Sequence, residues 1–308
     1  MTNILICTVG GSHQPVVSAI KEQHPDYVIF ICTGKDPATG RHGSSIQITG
    51  TGNCIKVNPQ DEKPTLPNIP TQTGLTAVQH EVCCTLSDDL DQIYLDCSNA
   101  IDAALRRFPN AKIVADYTGG TKSMSAGLVM AALEHEDVKL QLVTGSRGDL
   151  IKVHDGSQYV ACANIEQIRF ERLIAPYRQA WTRYAYSEAE AGLNQINAPR
   201  SSELRGQFSK FRDLSRAFAE WDNFNHSAAL HIIQGYAPNL PPALKPHLNI
   251  VMRLNDKNLH KREAAQLFDL YCNALRRAAQ GRYDDAIRSG LSFNRMDGAM
   301  VVKNQVQH

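Results

Sequence analysis

Short apolar runs alternate with longer amphipathic stretches over the first half of the chain. The short runs are rich in Val, Ile and Cys, which favours strands, and the longer stretches have the apolar spacing of helices. This alternation predicts a doubly wound, mainly parallel α/β sheet. The predicted strands are residues 3–8, 27–32, 53–57, 80–86, 112–116 and 139–144, and the predicted helices are residues 15–23, 88–107 and 121–135.

Helical spacing of apolar residues replaces this alternation after Asn164. Aromatic side chains such as Trp181, Phe218 and Trp221 recur at that spacing, which favours packing between helices over stacking on bases. The predicted helices are residues 165–185, 187–196, 202–221, 225–235, 243–253 and 260–280. We therefore expect an α/β domain over residues 1–163, an all-helical domain over residues 164–287 and a poorly ordered tail over residues 288–308.

Two stretches of the first half interrupt the alternation. Repeated prolines between Asn58 and Gly74 predict an exposed loop. Residues 150–161 alternate around Asp155-Gly156, a pair that is typical of a two-residue hairpin turn. We expect this hairpin to add an antiparallel strand at one edge of the sheet.

Composition restricts the partners that this chain can have. Its 32 Lys and Arg residues nearly balance 31 Asp and Glu residues, so no global field favours stable binding to long nucleic acid or to an acidic membrane. Eight cysteines without CxxC spacing are typical of free thiols in a reducing cytoplasm. The first residues contain neither a basic leader nor a long apolar stretch, which argues against secretion and membrane spanning. We expect a cytoplasmic protein that holds any nucleotide in a local site.

One segment has the pattern of an anion-binding turn. KIVADYTGGTKSMSAGL, from Lys112 to Leu128, contains a predicted strand, a glycine turn and the start of a helix. The N–H groups of a first helical turn have no partner within the helix and lie at the positive end of its dipole, so this unit can hold a phosphate. Lys122 adds a positive charge there, and hydroxyls come from Thr118, Thr121 and Ser123.

Two interpretations of this turn stay open. GGTKS lacks the spacer of a Walker A loop, and the segment lacks the dinucleotide-binding fingerprint. Gly119 and Gly120 can serve backbone geometry alone, as in any tight turn between a strand and a helix. The alternative is a ligand site, and a second turn of the same kind elsewhere in the chain favours it.

The second turn follows the first predicted strand, NILICTVGG, which ends in Gly10 and Gly11. Ser12, His13 and Gln14 then precede the predicted helix. The Ser12 hydroxyl can cap that helix or contact a ligand. Because parallel strands end at one edge of a sheet, the two glycine turns are expected to face the same crevice.

Two further predicted strands end in small or polar residues. One ends at Thr33 and Gly34, and another ends at Thr144, with Arg147 just beyond it. Strand ends of this kind are typical of the ligand-binding edge of an α/β sheet. Arg147 is equally well explained as an exposed turn residue.

Four segments together resemble a known family. DYTGGTKSM and TVGGSHQP are similar to the two ligand motifs of the CRISPR-associated Rossmann fold (CARF) family, and WDNFNHSAAL and NALRRAAQGRYDDAI are similar to signatures of its helical region. The resemblance covers residues 1 to about 287. It is strongest to effectors in which a helical connector and a HEPN ribonuclease domain follow the sheet domain. It implies a Rossmann-like sheet domain followed by helices.

The resemblance also implies a ligand and a partner. CARF domains form homodimers and bind a cyclic oligoadenylate, such as cyclic tetra- or hexa-adenylate, where two copies of the carboxyl edge meet. A ring with an even number of identical nucleotides suits a two-fold axis, because each protomer contacts half of it. By motif, the resemblance assigns ligand binding to Gly10, Gly11, Ser12, His13, Gln14, Thr118, Gly119, Gly120, Thr121, Lys122 and Ser123. The strand ends described above add Thr33, Gly34, Thr144 and Arg147 to the expected ligand-binding residues.

Some CARF domains also cleave their ligand as ring nucleases. A ribose 2′-hydroxyl attacks the adjacent phosphorus in line and leaves a 2′,3′-cyclic phosphate, so no metal or other cofactor is expected. Lys122 would stabilise the developing charge, Ser12 or Thr118 would position the scissile phosphate, and His13 would act as general acid or base. A histidine after a glycine turn is alternatively a solvated surface residue.

The departure from the family lies in the helical half. HEPN domains use an Arg, four to six residues and a His, and the nearest match here is RLNDKNLH, from Arg253 to His260. It precedes the signature that it should follow, so we interpret it as chance spacing on a solvated helix. The chain after Ile287 is too short for a nuclease domain. Alternatives to a cyclic oligoadenylate sensor are a Rossmann-type enzyme for a linear nucleotide or phosphorylated metabolite, and a purely regulatory binding module.

Overall fold

A six-stranded sheet is the central layer of the first of two compact units, Met1–Ile165. The computed structural model describes residues 1–37, 40–58, 60–144 and 159–291. The strands of the sheet are β1 (Asn3–Thr8), β2 (Tyr27–Thr33), β5 (His80–Thr85), β6 (Lys112–Asp116), β7 (Lys139–Thr144) and β8 (Tyr159–Cys162). Two further strands, β3 (Asn53–Ile55) and β4 (Leu66–Pro67), form a separate antiparallel pair.

The order of strands across the main sheet is β5-β2-β1-β6-β7-β8. The first five strands in this order are parallel, and β8 is antiparallel to β7. The predicted mainly parallel α/β sheet with one antiparallel edge is therefore confirmed. The expected hairpin turn at Asp155-Gly156 lies outside the described residues.

Helices cover both faces of this sheet, because alternate residues of a buried strand present apolar side chains to opposite sides. The long helices are α1 (Gln14–Gln23), α4 (Leu90–Arg107) and α5 (Lys122–Leu133). Ile4 and Ile6 of β1 pack in one core with buried residues of α4 and α5. Leu5 and Cys7 of the same strand pack in a second core with α1. The sheet is thus the middle layer of an α/β/α sandwich.

The segment between β2 and β5 differs from the prediction of a third sheet strand followed by a loop. β3 pairs with β4 outside the main sheet, and two short helices, α2 (Ile46–Thr49) and α3 (Ile69–Thr73), are present. Ile48, Ile55 and Ile69 are buried in the core that contains α1. The apolar residues between the prolines therefore fold onto the sheet, because their burial outweighs the local preference for a loop.

Helices make up the described part of the second unit, which begins at Glu166. Their bounds are α6 (Glu166–Thr182), α7 (Tyr186–Leu193), α8 (Ser202–Asp222), α9 (His226–Gly235), α10 (Lys245–Leu254) and α11 (Leu259–Ala279). This confirms the predicted helical region. The ring centroid of Phe218 lies 4.9 Å from that of Trp181 and 5.6 Å from that of Trp221, so these aromatic residues pack between helices as expected.

Residues 288–291 of the expected tail are helical, and residues 292–308 lie outside the described residues. Among the helices that the structure describes, none has both the length and the apolar character needed to cross a membrane.

Buried charges connect α8 to α11 in the second unit. The Asp222 carboxylate accepts hydrogen bonds from Arg276 Nε at 3.0 Å and from Asn273 Nδ2 at 2.9 Å, and Arg277 Nη2 lies 3.0 Å from its second oxygen. The Asp222 side chain is only 6% exposed. Buried charges are tolerated when they are paired and hydrogen-bonded in this way. The network brings together the two helical signatures, which are separated in the sequence.

Candidate ligand-binding site

The two predicted glycine turns lie side by side at the carboxyl edge of the sheet. β1 and β6 are parallel neighbours, with Cys7 opposite Asp116 in the register. The strands that follow β1 extend the sheet to one side, and those that follow β6 extend it to the other. In open α/β sheets a reversal of this kind leaves a crevice beyond the carboxyl ends of the strands, where ligands bind.

Backbone contact holds the two turns together. The Thr8 hydroxyl donates a hydrogen bond to the Gly119 carbonyl at 2.7 Å. A Cβ atom on Gly10 would lie 2.6 Å from the Gly120 nitrogen, and a Cβ on Gly119 would lie 2.2 Å from the Thr8 carbonyl oxygen. Gly120 also has a φ of 82°, a conformation that favours glycine. These three glycines therefore have a structural role, whatever else they contact.

Gly11 differs from its neighbours in this respect. It is exposed, a Cβ atom there would meet nothing within 4 Å, and its φ is not positive. Neither packing nor backbone conformation requires a glycine at this position. A ligand that approaches the backbone closely would require one.

Hydrogen-bond donors at the start of α5 remain open. The Thr121 hydroxyl caps the helix by accepting the Met124 N–H at 3.1 Å. The N–H groups of Lys122 and Ser123, the first two helical residues, make no hydrogen bond within the described part of the chain. Lys122 is exposed, and α5 has no acidic residue in its first turn. Unpaired donors beside a cation at the positive end of a helix form an anion-binding geometry.

The hydroxyls of the site fall into two groups. The Thr118 hydroxyl accepts the Val143 N–H of β7 at 2.6 Å, and the Thr121 hydroxyl donates to the Ser87 carbonyl at 2.5 Å, so both tie neighbouring segments together. Ser12 is exposed and Ser123 is half-buried, and in the residues that the structure describes neither side chain is hydrogen-bonded. These two hydroxyls are the ones open to a ligand.

Asp116 is a site residue that the sequence prediction missed. It is 2% exposed, and its carboxylate accepts the Thr118 N–H at 2.9 Å and the Gln141 Nε2 at 2.9 Å. Burial raises the pKa of the Asp116 carboxyl, and the hydrogen bonds from Thr118 and Gln141 oppose that rise. The signal in the sequence was an acidic residue at the end of an apolar strand, directly before the turn.

The first turn departs from the prediction in two ways. Ser12 is not the cap of α1, because the capping position is His13, which makes no side-chain capping hydrogen bond. His13 is 5% exposed, so it is not the solvated surface residue of the alternative interpretation. Gln14 is half-buried at the start of the helix. A second missed residue, Gln47 of α2, donates to the Gly10 carbonyl at 2.5 Å and supports the turn from below.

The residues at the ends of β2 and β7 are tied to neighbouring segments or partly buried. The N–H of Thr33 donates to the Ser44 hydroxyl at 2.9 Å, and the Thr33 hydroxyl accepts the Ser44 N–H at 2.8 Å. A Cβ on Gly43 would lie 2.2 Å from the Gly34 carbonyl oxygen, so residues 43–45 pack closely against this strand end. Thr144 is half-buried at the end of β7. Arg147 lies outside the described residues.

The Arg253 and His260 pair does not lie on one helix, contrary to the expectation. Arg253 belongs to the last turn of α10 and His260 to the first turn of α11. Both side chains are exposed, as expected. Within the described residues, no cluster of three or more His, Cys, Asp or Glu side chains could hold a metal ion.

Comparisons with known proteins found similar structures. No protein-family model matches the chain, and no curated protein matches its sequence. Enterococcus italicus Csm6 bound to cyclic hexa-2′-fluoro-hexa-dAMP is 14% identical, with a TM-score of 0.46, over 89% of this chain and 66% of that chain. A type III CRISPR defence DNA nuclease activated by cyclic oligoadenylate is 13% identical, with a TM-score of 0.30, over 71% and 34% of the two chains.

A third similar structure is Can2 from Sulfobacillus thermosulfidooxidans in complex with cyclic tetra-adenylate. It is 13% identical, with a TM-score of 0.31, over 78% of this chain and 69% of that chain. This chain thus spans about two thirds of the first structure and about one third of the second.

The contact between the turns predicts unequal effects on stability at two adjacent glycines. Gly10→Ala should lower the free energy of unfolding by about 1–3 kcal/mol, because its Cβ meets backbone atoms that must shift. Gly11→Ala should change it by less than about 1 kcal/mol in either direction. Urea unfolding of both variants and the wild type measures the difference. Equal destabilisation by the two substitutions would contradict the proposed contact.

Asp116→Asn should alter the pH dependence of stability. The amide introduced in the variant can keep both hydrogen bonds if the Gln141 amide turns over, since Gln141 Oε1 has no partner among the residues that the structure describes. Burial raises the pKa of Asp116 in the folded wild type above the value of about 3.9 expected in the unfolded chain. The free energy of unfolding of the wild type therefore falls as the pH rises from about 3.9 through the raised pKa. The stability of the variant relative to the wild type should increase over that window and then stay constant. Urea unfolding at several pH values tests this, and parallel pH profiles would contradict it.

Proposed function

We propose that this chain is a CARF-family protein that binds a cyclic oligoadenylate at the carboxyl edge of β1 and β6. The observation that carries the proposal is the direct contact between the two glycine turns, Gly10 against Gly120, at the reversal point of the sheet. The two segments that resemble the ligand motifs of the family thereby form one surface. The proposal includes a homodimer, in which two such surfaces meet across a two-fold axis, and a cytoplasmic location.

The open groups of this surface suit a ring of phosphodiesters. The N–H groups of Lys122 and Ser123, which have no partner among the described residues, can each contact a phosphate oxygen, and so can the exposed Lys122 ammonium. The Ser12 hydroxyl supplies a further donor, and the missing side chain at Gly11 allows close approach. With a net charge of only +1 on the chain, such a local cluster is what would favour the polyanion.

Isothermal titration with cyclic tetra-adenylate and cyclic hexa-adenylate tests the proposal. The wild type should bind at least one ring with a stoichiometry of one ring per dimer. Lys122→Ala should weaken binding by about tenfold or more, because a charge-assisted contact is lost. Lys112→Ala is the matched control, since Lys112 is an exposed lysine at the opposite end of β6 and should leave the affinity unchanged. A folded dimer that gives no heat with either ring would refute the proposal.

We further propose that the same surface can cleave the ring without a metal ion. The 2′-hydroxyl of one ribose would attack the adjacent phosphorus, and the 5′-oxygen would leave, giving a 2′,3′-cyclic phosphate and a 5′-hydroxyl. Lys122 would stabilise the phosphorane charge, and the exposed Ser12 hydroxyl would position the phosphate. Of the two hydroxyls expected in that role, Ser12 is favoured because the Thr118 hydroxyl accepts the Val143 N–H and also hydrogen-bonds to the Asp116 carboxylate, which occupies its single donor. His13, at the same turn, would transfer the proton.

If the ring is cleaved, Lys122→Ala should lower the single-turnover rate by about 100-fold or more, the effect typical of removing a group that stabilises charge in the transition state. Excess EDTA should leave the wild-type rate unchanged. Arg253→Ala and His260→Ala should also leave it unchanged, because both residues belong to the helical unit. Chromatography of the products measures the rates. Full activity of Lys122→Ala would contradict the assigned role.

A further inference from the structure

The helical unit contains a cavity of about 350 Å³. Its lining includes the rings of Tyr184, Tyr186, Phe218, Trp221 and His247. Its volume is in the range of small-molecule sites, and a lining that combines aromatic rings with polar groups, here including Asp222 and Arg276, is typical of such sites. The cavity belongs entirely to the second unit, so it is separate from the sheet edge described above.

The aromatic wall of the cavity is a packed surface. The Phe218 ring lies at its centre, with ring centroids 5.1 Å from Tyr186, 5.6 Å from Trp221 and 5.5 Å from His247. Each of these rings is in contact with a neighbour, so their orientations are set before any ligand arrives. Phe218 and Trp221 are themselves buried, so the rings accessible to a ligand are the exposed Tyr184 and the half-buried Tyr186 and His247. These rings offer faces on which a planar molecule can stack.

The charges beside this wall compensate each other. Asp222 accepts from Asn273 and Arg276 and pairs with Arg277. The second carboxylate, Asp269, accepts the Trp221 Nε1–H at 3.0 Å and contacts His226 Nε2 at 3.1 Å. Two buried carboxylates thus face two guanidinium groups, which leaves no excess charge to attract a phosphate or a cation. A neutral ligand fits this balance best.

Two polar groups at the cavity remain open as hydrogen-bond donors. Of the Arg276 guanidinium nitrogens, only Nε makes a hydrogen bond to a residue that the structure describes. The distance from Nη2 to Asp269 Oδ1 is 3.6 Å. The Tyr186 hydroxyl makes no hydrogen bond within the described residues, and the half-buried Tyr186 side chain lines the cavity. Burial raises the pKa of Tyr186 to about 12, so its hydroxyl is protonated and can donate. A ligand must therefore present acceptor atoms to these donors.

We propose that this cavity binds a neutral, planar nitrogen heterocycle of the size of a purine base or nucleoside. The heterocycle stacks on the accessible rings of the lining, Tyr184, Tyr186 and His247, which the buried Phe218 and Trp221 support from behind. Its ring nitrogens or carbonyl oxygens accept hydrogen bonds from Tyr186 and Arg276. The proposed site does not depend on the proposed function of the sheet edge. It lies where the two helical signatures meet, and it gives that region a ligand-binding role.

Isothermal titration calorimetry of the full chain with adenine, adenosine and guanosine tests the inference. At least one probe should bind saturably with one site per chain. Tyr186→Phe should weaken that binding about tenfold, because it removes the hydroxyl and keeps the ring. Tyr271→Phe, the same substitution at an exposed position of α11 outside the cavity, should leave it unchanged. Circular dichroism verifies that the variants are folded.

A second variant blocks the cavity from its rim. Ala279 is exposed and lines the cavity, so Ala279→Trp should fill the space without strain in the core and abolish binding. No saturable binding of any probe to the wild type would overturn the inference. Binding that survives both Tyr186→Phe and Ala279→Trp, or that Lys122→Ala removes, would place the heterocycle elsewhere and would also overturn it. Failure here leaves the titrations with cyclic oligoadenylates unaffected, because those depend on Lys122.

Discussion

The close contact between two glycine turns is the constraint on which the candidate site depends. Gly10 and Gly120 approach so closely that a single added carbon at Gly10 would lie 2.6 Å from a backbone nitrogen. The same relation holds between Gly119 and the carbonyl of Thr8. Because β1 and β6 are parallel neighbours, this contact places the start of α5 beside the loop that leads into α1. The exposed Ser12 and Lys122 side chains therefore lie at the same edge of the sheet.

The residues around this contact are of two kinds: some bind neighbouring segments of the sheet edge, and others are open to a ligand. Thr118 and Thr121 have hydroxyls that bind backbone groups of neighbouring segments. Asp116, buried beneath them, accepts the Thr118 N–H and so orients the turn from inside the sheet. Ser12 and Lys122 are exposed instead. A motif that looks uniform in the sequence thus contains two kinds of residue, and the distinction comes from hydrogen-bond partners rather than residue type.

The helical unit is organised around paired charges rather than backbone contact. Asp222 and Asp269 each satisfy several donors, and removal of either would leave buried partners without compensation. The pairing leaves the adjacent aromatic cavity without excess charge, although Tyr186 keeps an open donor there. A polar network of this kind restricts which helix faces can meet, because a displaced helix would leave buried members of the network without partners.

The periodicity of the sequence determined the sheet, the helices of the second half and the positions of both glycine turns, because these patterns depend on neighbours along the chain. Only the tertiary structure decided that β3 leaves the main sheet, that His13 is buried and that Arg253 and His260 lie on separate helices. Asp116 gains its role from Gln141, 25 residues away, and Thr8 binds Gly119 across 111 residues. Such contacts arise from packing between distant segments, which no local pattern encodes.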